Sequence, residues 1–366
     1  MKVSTIIELP PFHELRFEVS SSQILSLKLL SGTCEIKGQE LLDTKSYDIK
    51  NINSFIFTYH GCKMQLEGEC NLYYITKNSN ILKIFSKFNE YINENKNVLV
   101  LGNGRSTFMT ILANYFVRIH KDINLIELDV EKGFLVFPGV LGKVNIKKSI
   151  DFEYGIQYND PNFYFYGESV INNIEKYTEM IENINDIRSE NKMKLFLGNN
   201  NLENINLVLE KCKIDEIIVL GDERLYNYIE FKNKTFIMNS GYYKDKIKIE
   251  NKIYEYFHGK KDEYTPFTVN ISNFKVFKIG EDFVAPSSAL PLGAKRKLST
   301  NNIKEVQVVK DSVLGISPSE NEEEIKTGSV IGFCVVYTEG NSIKVLAPQK
   351  QINFKHFIQS GIKYTE

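Results

Sequence analysis

From Glu14 to about Tyr74 the chain runs in short alternating or apolar stretches: Leu15-Arg16-Phe17-Glu18-Val19, Ile24 to Leu30, Cys34-Glu35-Ile36, Phe55 to Tyr59 and Leu72 to Ile75. Glycines at 32, 38, 61 and 68 punctuate them. Period-two patterning with closely spaced turns predicts a small all-β domain, a sandwich or a barrel. Leu82 to Ile92 has helical spacing and leads into a region of different rhythm. There the pattern predicts strands at 98–101, 123–128, 194–197 and 216–220, separated by helices at 106–118, 168–187 and 202–212. Such alternation predicts a parallel sheet with crossover helices. After about Gly259 short strand patterns return: Thr268 to Ile271, Phe274 to Ile279, Val306 to Val309, Val330 to Val336 and Ile343 to Leu346. The Val330 to Val336 run reads as one buried strand, and the glutamate-rich Ser317 to Lys326 as a solvated loop. Three domains are expected, at 1–80, 81–260 and 261–366.

Composition narrows the functional classes. A chain of 366 residues buries a proper core in each of two or three domains. Its net charge of -1 gives no global reason for strong nonspecific nucleic-acid binding, so any RNA contact would be local and weak. The five cysteines are odd in number and scattered, which suits reduced thiols better than a disulfide framework. No apolar run reaches the length of a bilayer span, and no membrane association is expected.

The chemistry concentrates at Asn97-Val98-Leu99-Val100-Leu101-Gly102-Asn103-Gly104-Arg105-Ser106-Thr107. An apolar strand breaks into glycine, a basic residue and two hydroxyls, then a helical pattern, which is the grammar of a phosphate-binding loop. A Walker A loop reads G-x-x-x-x-G-K-[ST], whereas here one asparagine separates Gly102 from Gly104 and arginine replaces lysine. By the switch-point rule a ligand sits at the carboxyl ends of such strands, where Gly102 and Asp129 lie. Asp129 ends the apolar strand Leu125 to Leu128, where an acid serves as a proton acceptor or orients a magnesium shell.

Motifs spread along the whole chain resemble the RNA 5'-hydroxyl polynucleotide kinases, and among them the kinase-like subunits of the eukaryotic mRNA cleavage and polyadenylation factor. They include Glu14 to Val19, Leu29 to Ile36, Phe57 to Cys62, Asn114 to Arg118, Leu128-Asp129-Val130, Val219 to Asn227, Glu255 to Gly259, Ser288 to Gly293 and Gly332 to Val336. Their collinear order makes the resemblance specific. It implies an α/β fold: an N-terminal β-sandwich-like domain, a central P-loop NTPase-type parallel sheet and a C-terminal mixed α/β domain. It implies that Glu14 reads adenine, with Lys63 a second candidate for that pocket. Gly102, Gly104, Arg105, Ser106 and Thr107 match the nucleotide-binding loop, Arg105 standing where the phosphate lysine belongs and Ser106 as a magnesium ligand. Asp129 matches the general base toward the RNA 5'-hydroxyl.

The departures from that family form a set. The loop is shorter, and an arginine fork is no simple substitute for a lysine point charge. Glu131-Lys132 replaces a Gly-Gln pair, the lid segment Asn239 to Lys248 has lysines but no arginine, the clasp threonines appear as Gly167-Glu168-Ser169-Val170, and the chain has no tryptophan to stack on an RNA end. Phosphoryl transfer relies on positioned electrostatics, so these losses strike its main source of rate. The expectation is a noncatalytic structural subunit of the cleavage and polyadenylation factor, nuclear, bound to other subunits and especially to a large scaffold subunit, with ATP and magnesium at a degenerate site. The alternative is an active ATP-dependent RNA 5'-kinase. His60, Cys62 and Cys70 read as strand residues rather than zinc ligands. The Tyr154 to Tyr166 aromatics read as core or loop anchors, and Lys295-Arg296-Lys297 as a solvated loop.

Overall fold

The computed structural model describes residues 4–186, 192–238, 248–280, 302–338, 340 and 342–365. The lid residues 239–247, Ser288 to Gly293 and Lys295 to Lys297 lie outside the described residues.

The N-terminal alternation folds as two sheets around one core. The first orders Ser4–Leu9, Cys62–Gly68, Leu25–Gly32 and Ser46–Ile49; the second orders Gln39–Glu40, Glu35–Ile36, Ile52–Thr58, His13–Val19 and Leu72–Thr76. The strand His13–Val19 shows why period two matters here. Leu15, Phe17 and Val19 enter the sandwich core, so Glu14, Arg16 and Glu18 must point to the other face. That face looks into a cleft shared with the central region.

In the centre, five parallel strands stand in the order Lys234–Ile237, Glu216–Leu220, Asn97–Gly102, Lys194–Leu197 and Ile123–Glu127. They are nearly continuous apolar runs because both faces are covered. Three antiparallel strands extend this sheet: Val140–Ile146 and Asn162–Phe165, which the pattern did not reveal, and Ser329–Val330. The helix Arg105–Arg118 springs from the strand Asn97–Gly102, and every residue from Phe108 to Phe116 is buried. A helix apolar on all sides is enclosed on all sides; this one lies between the central sheet and the N-terminal sandwich. Across that boundary Asn114 donates to the Lys37 carbonyl at 2.8 Å, and Tyr115 donates to the Glu35 carboxylate.

Several expectations change. The helix expected over 168–187 begins later, at Ile174. The Val330 to Val336 run is two strands: Ser329–Val330 closes the central sheet, exposed Ile331 makes the step, and Gly332–Thr338 enters the C-terminal sheet. One apolar run thus fastens two sheets together. The Ser317 to Lys326 segment is not a loop throughout. Glu322–Ile325 forms a helical turn capped by the Asn321 side chain, which accepts from the Glu323 N–H at 3.0 Å, and it buries Ile325 completely. The C-terminal region is β-rich, a seven-stranded sheet whose helical content among the described residues is that single turn. Within the Tyr154 to Tyr166 stretch, Phe163 to Tyr166 are core while Tyr154 and Tyr158 are exposed at the cleft.

Candidate functional site

The strand Asn97–Gly102 ends against its neighbours in a way that fixes the loop. Gly102 has φ +84°, and a Cβ there would stand 2.1 Å from the Leu220 carbonyl oxygen, so only glycine fits. Gly104, at φ 82°, caps the helix Arg105–Arg118 with no side-chain hydrogen bond. Between them the short loop spends its donors on the protein itself. The Gly102 N–H donates to the Asn200 side-chain oxygen at 2.8 Å, and the Asn103 N–H to the Leu220 carbonyl at 2.8 Å. A curled anion nest presents such groups to a phosphate instead.

Arg105 turns its guanidinium back under the loop. It donates to the Gly102 carbonyl at 2.9 Å and forms a hydrogen-bonded ion pair with Asp129. Asp129 is completely buried. Its other oxygen accepts from the Asn199 side chain and from the Glu131 N–H, both at 3.0 Å. The carboxylate is therefore fully employed by the protein, and its cation is the residue expected to hold phosphate. Such a pair is worth little net, but removing one partner strands a buried charge. One strand-end away, the Glu127 carboxyl is pushed up to about 8 by burial, against the pull of the Leu135 and Phe134 N–H groups, each donating at 2.7 Å. Ser106 Oγ is buried in the first turn of the helix with no hydrogen-bond partner.

Of the residues expected at the site, Glu14, Gly102, Gly104, Arg105, Ser106 and Thr107 line one cleft of about 1270 Å³. Asp129 lies beneath its floor. Glu14 is buried on the sandwich wall, where burial lifts its carboxyl above the usual range while Ser79 and Arg16 pull it down; Arg16 Nε donates to it at 2.9 Å. Lys63 is elsewhere. It pairs with Glu8 at 2.9 Å across the outer sheet of the sandwich, beside a separate shallow groove. Period two explains this, because Lys63 belongs to the sheet that does not face the cleft. Sequence reasoning missed Asn199 and Asn200, although their Gly198-Asn199-Asn200-Asn201 run directly follows the strand beside Gly102. It also missed Lys37, Lys252 and Lys260, which line the same cleft.

Comparison with known proteins decides the family. Residues 8–98 match the N-terminal beta-sandwich domain of polyadenylation factor, 102–259 the mRNA cleavage and polyadenylation factor CLP1 P-loop, and 265–366 the pre-mRNA cleavage complex II protein Clp1. The chain belongs to the Clp1 family. It is thus a kinase-like Clp1-type subunit by family. Among its relatives are the polyribonucleotide 5'-hydroxyl-kinase Clp1 of Homo sapiens and that of Bos taurus, each 29% identical over 408 residues, covering 98% of this chain and 95% of the relative. The Gallus gallus protein is 28% identical, covering 94% and 92%. A solved Clp1p–Pcf11p complex superposes with a TM-score of 0.78 at 16% identity, covering 100% of this chain and 99% of that one. A second, at 0.77 and the same identity and coverage, concerns an extended Pcf11p–Clp1p interface and ATP loss in a glycine-to-arginine point mutant. At that identity the likeness shows the Clp1 fold.

Proposed function

We propose that this chain is a noncatalytic structural subunit of a pre-mRNA 3'-end cleavage and polyadenylation factor, acting in the nucleus, in which the kinase centre is retained as architecture. The observation that carries this reading is the Arg105–Asp129 ion pair. A general base must reach the proton it takes, and a phosphate ligand must present its charge to the phosphate. Here each would have to abandon the other first. The loop N–H groups of Gly102 and Asn103 are also consumed, which takes two donors away from any phosphate at the loop. The solved Clp1p complexes with Pcf11p support partnership with a subunit of that kind, and a large scaffold subunit is a further expected partner.

A second reading rests on a specific observation. Ser106 Oγ, buried and without a partner at the start of the helix, has the position and chemistry of a magnesium ligand. The cleft also joins Glu14 to the loop, as an adenine reader and a phosphate site would be joined. On that reading the chain would be an active polynucleotide 5'-hydroxyl kinase in which Glu14 would hold the adenine of ATP and Ser106 the magnesium, and in which Arg105 would have to part from Asp129. Magnesium would there neutralise charge on the transferring phosphate, with Asp129 as base. Incubation of the purified protein with labelled ATP, magnesium and a 5'-hydroxyl RNA oligonucleotide separates the two. No transfer is expected; transfer that is lost on Asp129→Asn would establish the kinase.

A further inference from the structure

The cleft that the loop borders also carries lysines with no ion-pair partner among the described residues. Lys37, Lys132 and Lys260 come from three distant stretches of chain: the turn between two sandwich strands, the segment after Ile123–Glu127, and the residues after the helix Ile249–His258. All three line the cleft. None of their ammonium groups makes a hydrogen bond or ion pair with a described residue. Lys252 lies close enough to repel each of them, and is itself engaged by Glu255 at 2.8 Å.

Of the acids that line the cleft or act on these lysines, all but Glu18 are already engaged, Asp129 by Arg105 and Glu127 by the Phe134 and Leu135 N–H groups. Glu14 is held by Arg16, Glu255 by Lys252, and Asp151 by the Glu153 and Tyr154 N–H groups. Glu263 accepts from the Lys261 N–H at 2.8 Å. Glu255, Asp151 and Glu263 attract Lys260, yet burial and the repulsion of Lys252 outweigh them and its ammonium is held below the usual lysine range. Burial, Arg105 and Lys252 do the same to Lys132 against the pull of Asp129 and Glu127, and burial with Lys260 and Lys252 brings Lys37 down to about 8. Neighbouring lysines elsewhere show the contrast. Lys45 and Lys261, at the outer edge, both pair with Glu153.

The Lys37 backbone and the Lys260 side chain are also held in place. The Lys37 carbonyl is fixed by Asn114, and Gly38 beside it packs so closely on the helix that a Cβ would stand 2.9 Å from the Ile111 carbonyl oxygen. The Lys260 stem lies on Gly155, where a Cβ would stand 2.9 Å from its Nζ. Unpaired cations in a partly desolvated cavity are costly, and a multivalent anion removes that cost at all three at once. Compact phosphates supply several strong acceptor oxygens within a small volume.

We infer that Lys37, Lys132 and Lys260 form an anion site for a chain or cluster of phosphate groups, held by lysine ammonium groups and not by the N–H groups of the shortened loop. This goes beyond the structural-subunit reading and does not depend on whether phosphate is transferred. The phosphates come either from a free polyphosphate or from a nucleotide whose base reaches Glu14.

Calorimetric titration of the full-length protein with tripolyphosphate and, separately, with ATP, both without magnesium, tests the site. At least one is expected to bind. The triple variant K37Q/K132Q/K260Q is expected to lose at least about a hundredfold in affinity, and each single variant about tenfold, while Lys45→Gln, which removes a lysine already paired with Glu153, changes it less than about threefold. ATP binding tighter than tripolyphosphate, with the excess lost on Glu14→Ala, would identify a nucleotide; equal affinities would identify a free polyphosphate. The melting temperature of the unliganded triple variant is expected to be no lower than that of the parent, since repulsion is removed. The inference is overturned if neither anion binds at about 1 mM. It is equally overturned if the lysine variants bind as the parent does, or if Lys45→Gln weakens binding as much as the triple variant.

Discussion

The two walls of the cleft carry cations that have met opposite fates. At the loop, Arg105 has turned inward to Asp129 and its charge is cancelled inside the fold. Elsewhere on the lining, Lys37, Lys132 and Lys260 have no ion-pair partner among the described residues, although Lys132 lies close enough to Arg105 to be repelled by it. The contrast teaches that the fold settles each cation of a cleft by what it packs against it. At the loop, the strand, the turn glycines, the helix and the acid are all present, and Arg105 and Asp129 hold each other.

The largest expected effect breaks the first wall. Arg105→Met leaves Asp129 buried and unpaired and should cost about 3–5 kcal/mol, read by urea unfolding. Adding Asp129→Leu should recover much of it, because a buried pair is worth little against apolar residues. A single-variant cost under about 1 kcal/mol would mean that the pair is not the closed unit seen here. Next in size, Gly102→Ala should cost about 1–3 kcal/mol, from the clash at 2.1 Å with Leu220 and the positive φ.

The second wall gives a smaller effect of opposite sign. Lys37 has its ammonium lowered from 10.5 to about 8 in the fold. Between those values the unfolded chain binds more protons, so the parent protein gains stability as pH rises through that window. Lys37→Met removes the penalty and should stabilise by about 1–2 kcal/mol at pH 7, discounted for the water in the cleft. The gain should fade above pH 8 and be gone near pH 10.5. Melting curves of both proteins across that range check it; a gain that grows with pH would contradict the assignment. Smallest of all, Lys63→Ala should change stability by less than about 0.5 kcal/mol, since its pair with Glu8 is exposed.

Much of this molecule was legible because its patterns are local. Period two marked the sandwich, and the break from Leu101 to Gly102 marked the loop with its helix. The strands Val140–Ile146 and Asn162–Phe165 were not, because glycine and lysine interrupt the first and the second is only four residues long. Glu14, the loop residues and Asp129 were named in advance, yet their partnership was not. Sequence placed Arg105 toward a phosphate and Asp129 toward a hydroxyl, and only packing shows them facing each other. The lysines were harder still. Positions 37, 132 and 260 share no motif, and their convergence exists only once the sandwich docks on the helix Arg105–Arg118.

The most direct test watches both walls at once. In protein labelled at arginine and lysine side chains, nuclear magnetic resonance can follow the Arg105 guanidinium and the ammonium groups of Lys37, Lys132 and Lys260 while ATP is added. The account predicts that the lysine signals move together and the Arg105 signal stays in place, still bonded to Asp129. Movement of Arg105 with the lysines unchanged would show the loop to be the working phosphate site and would contradict it.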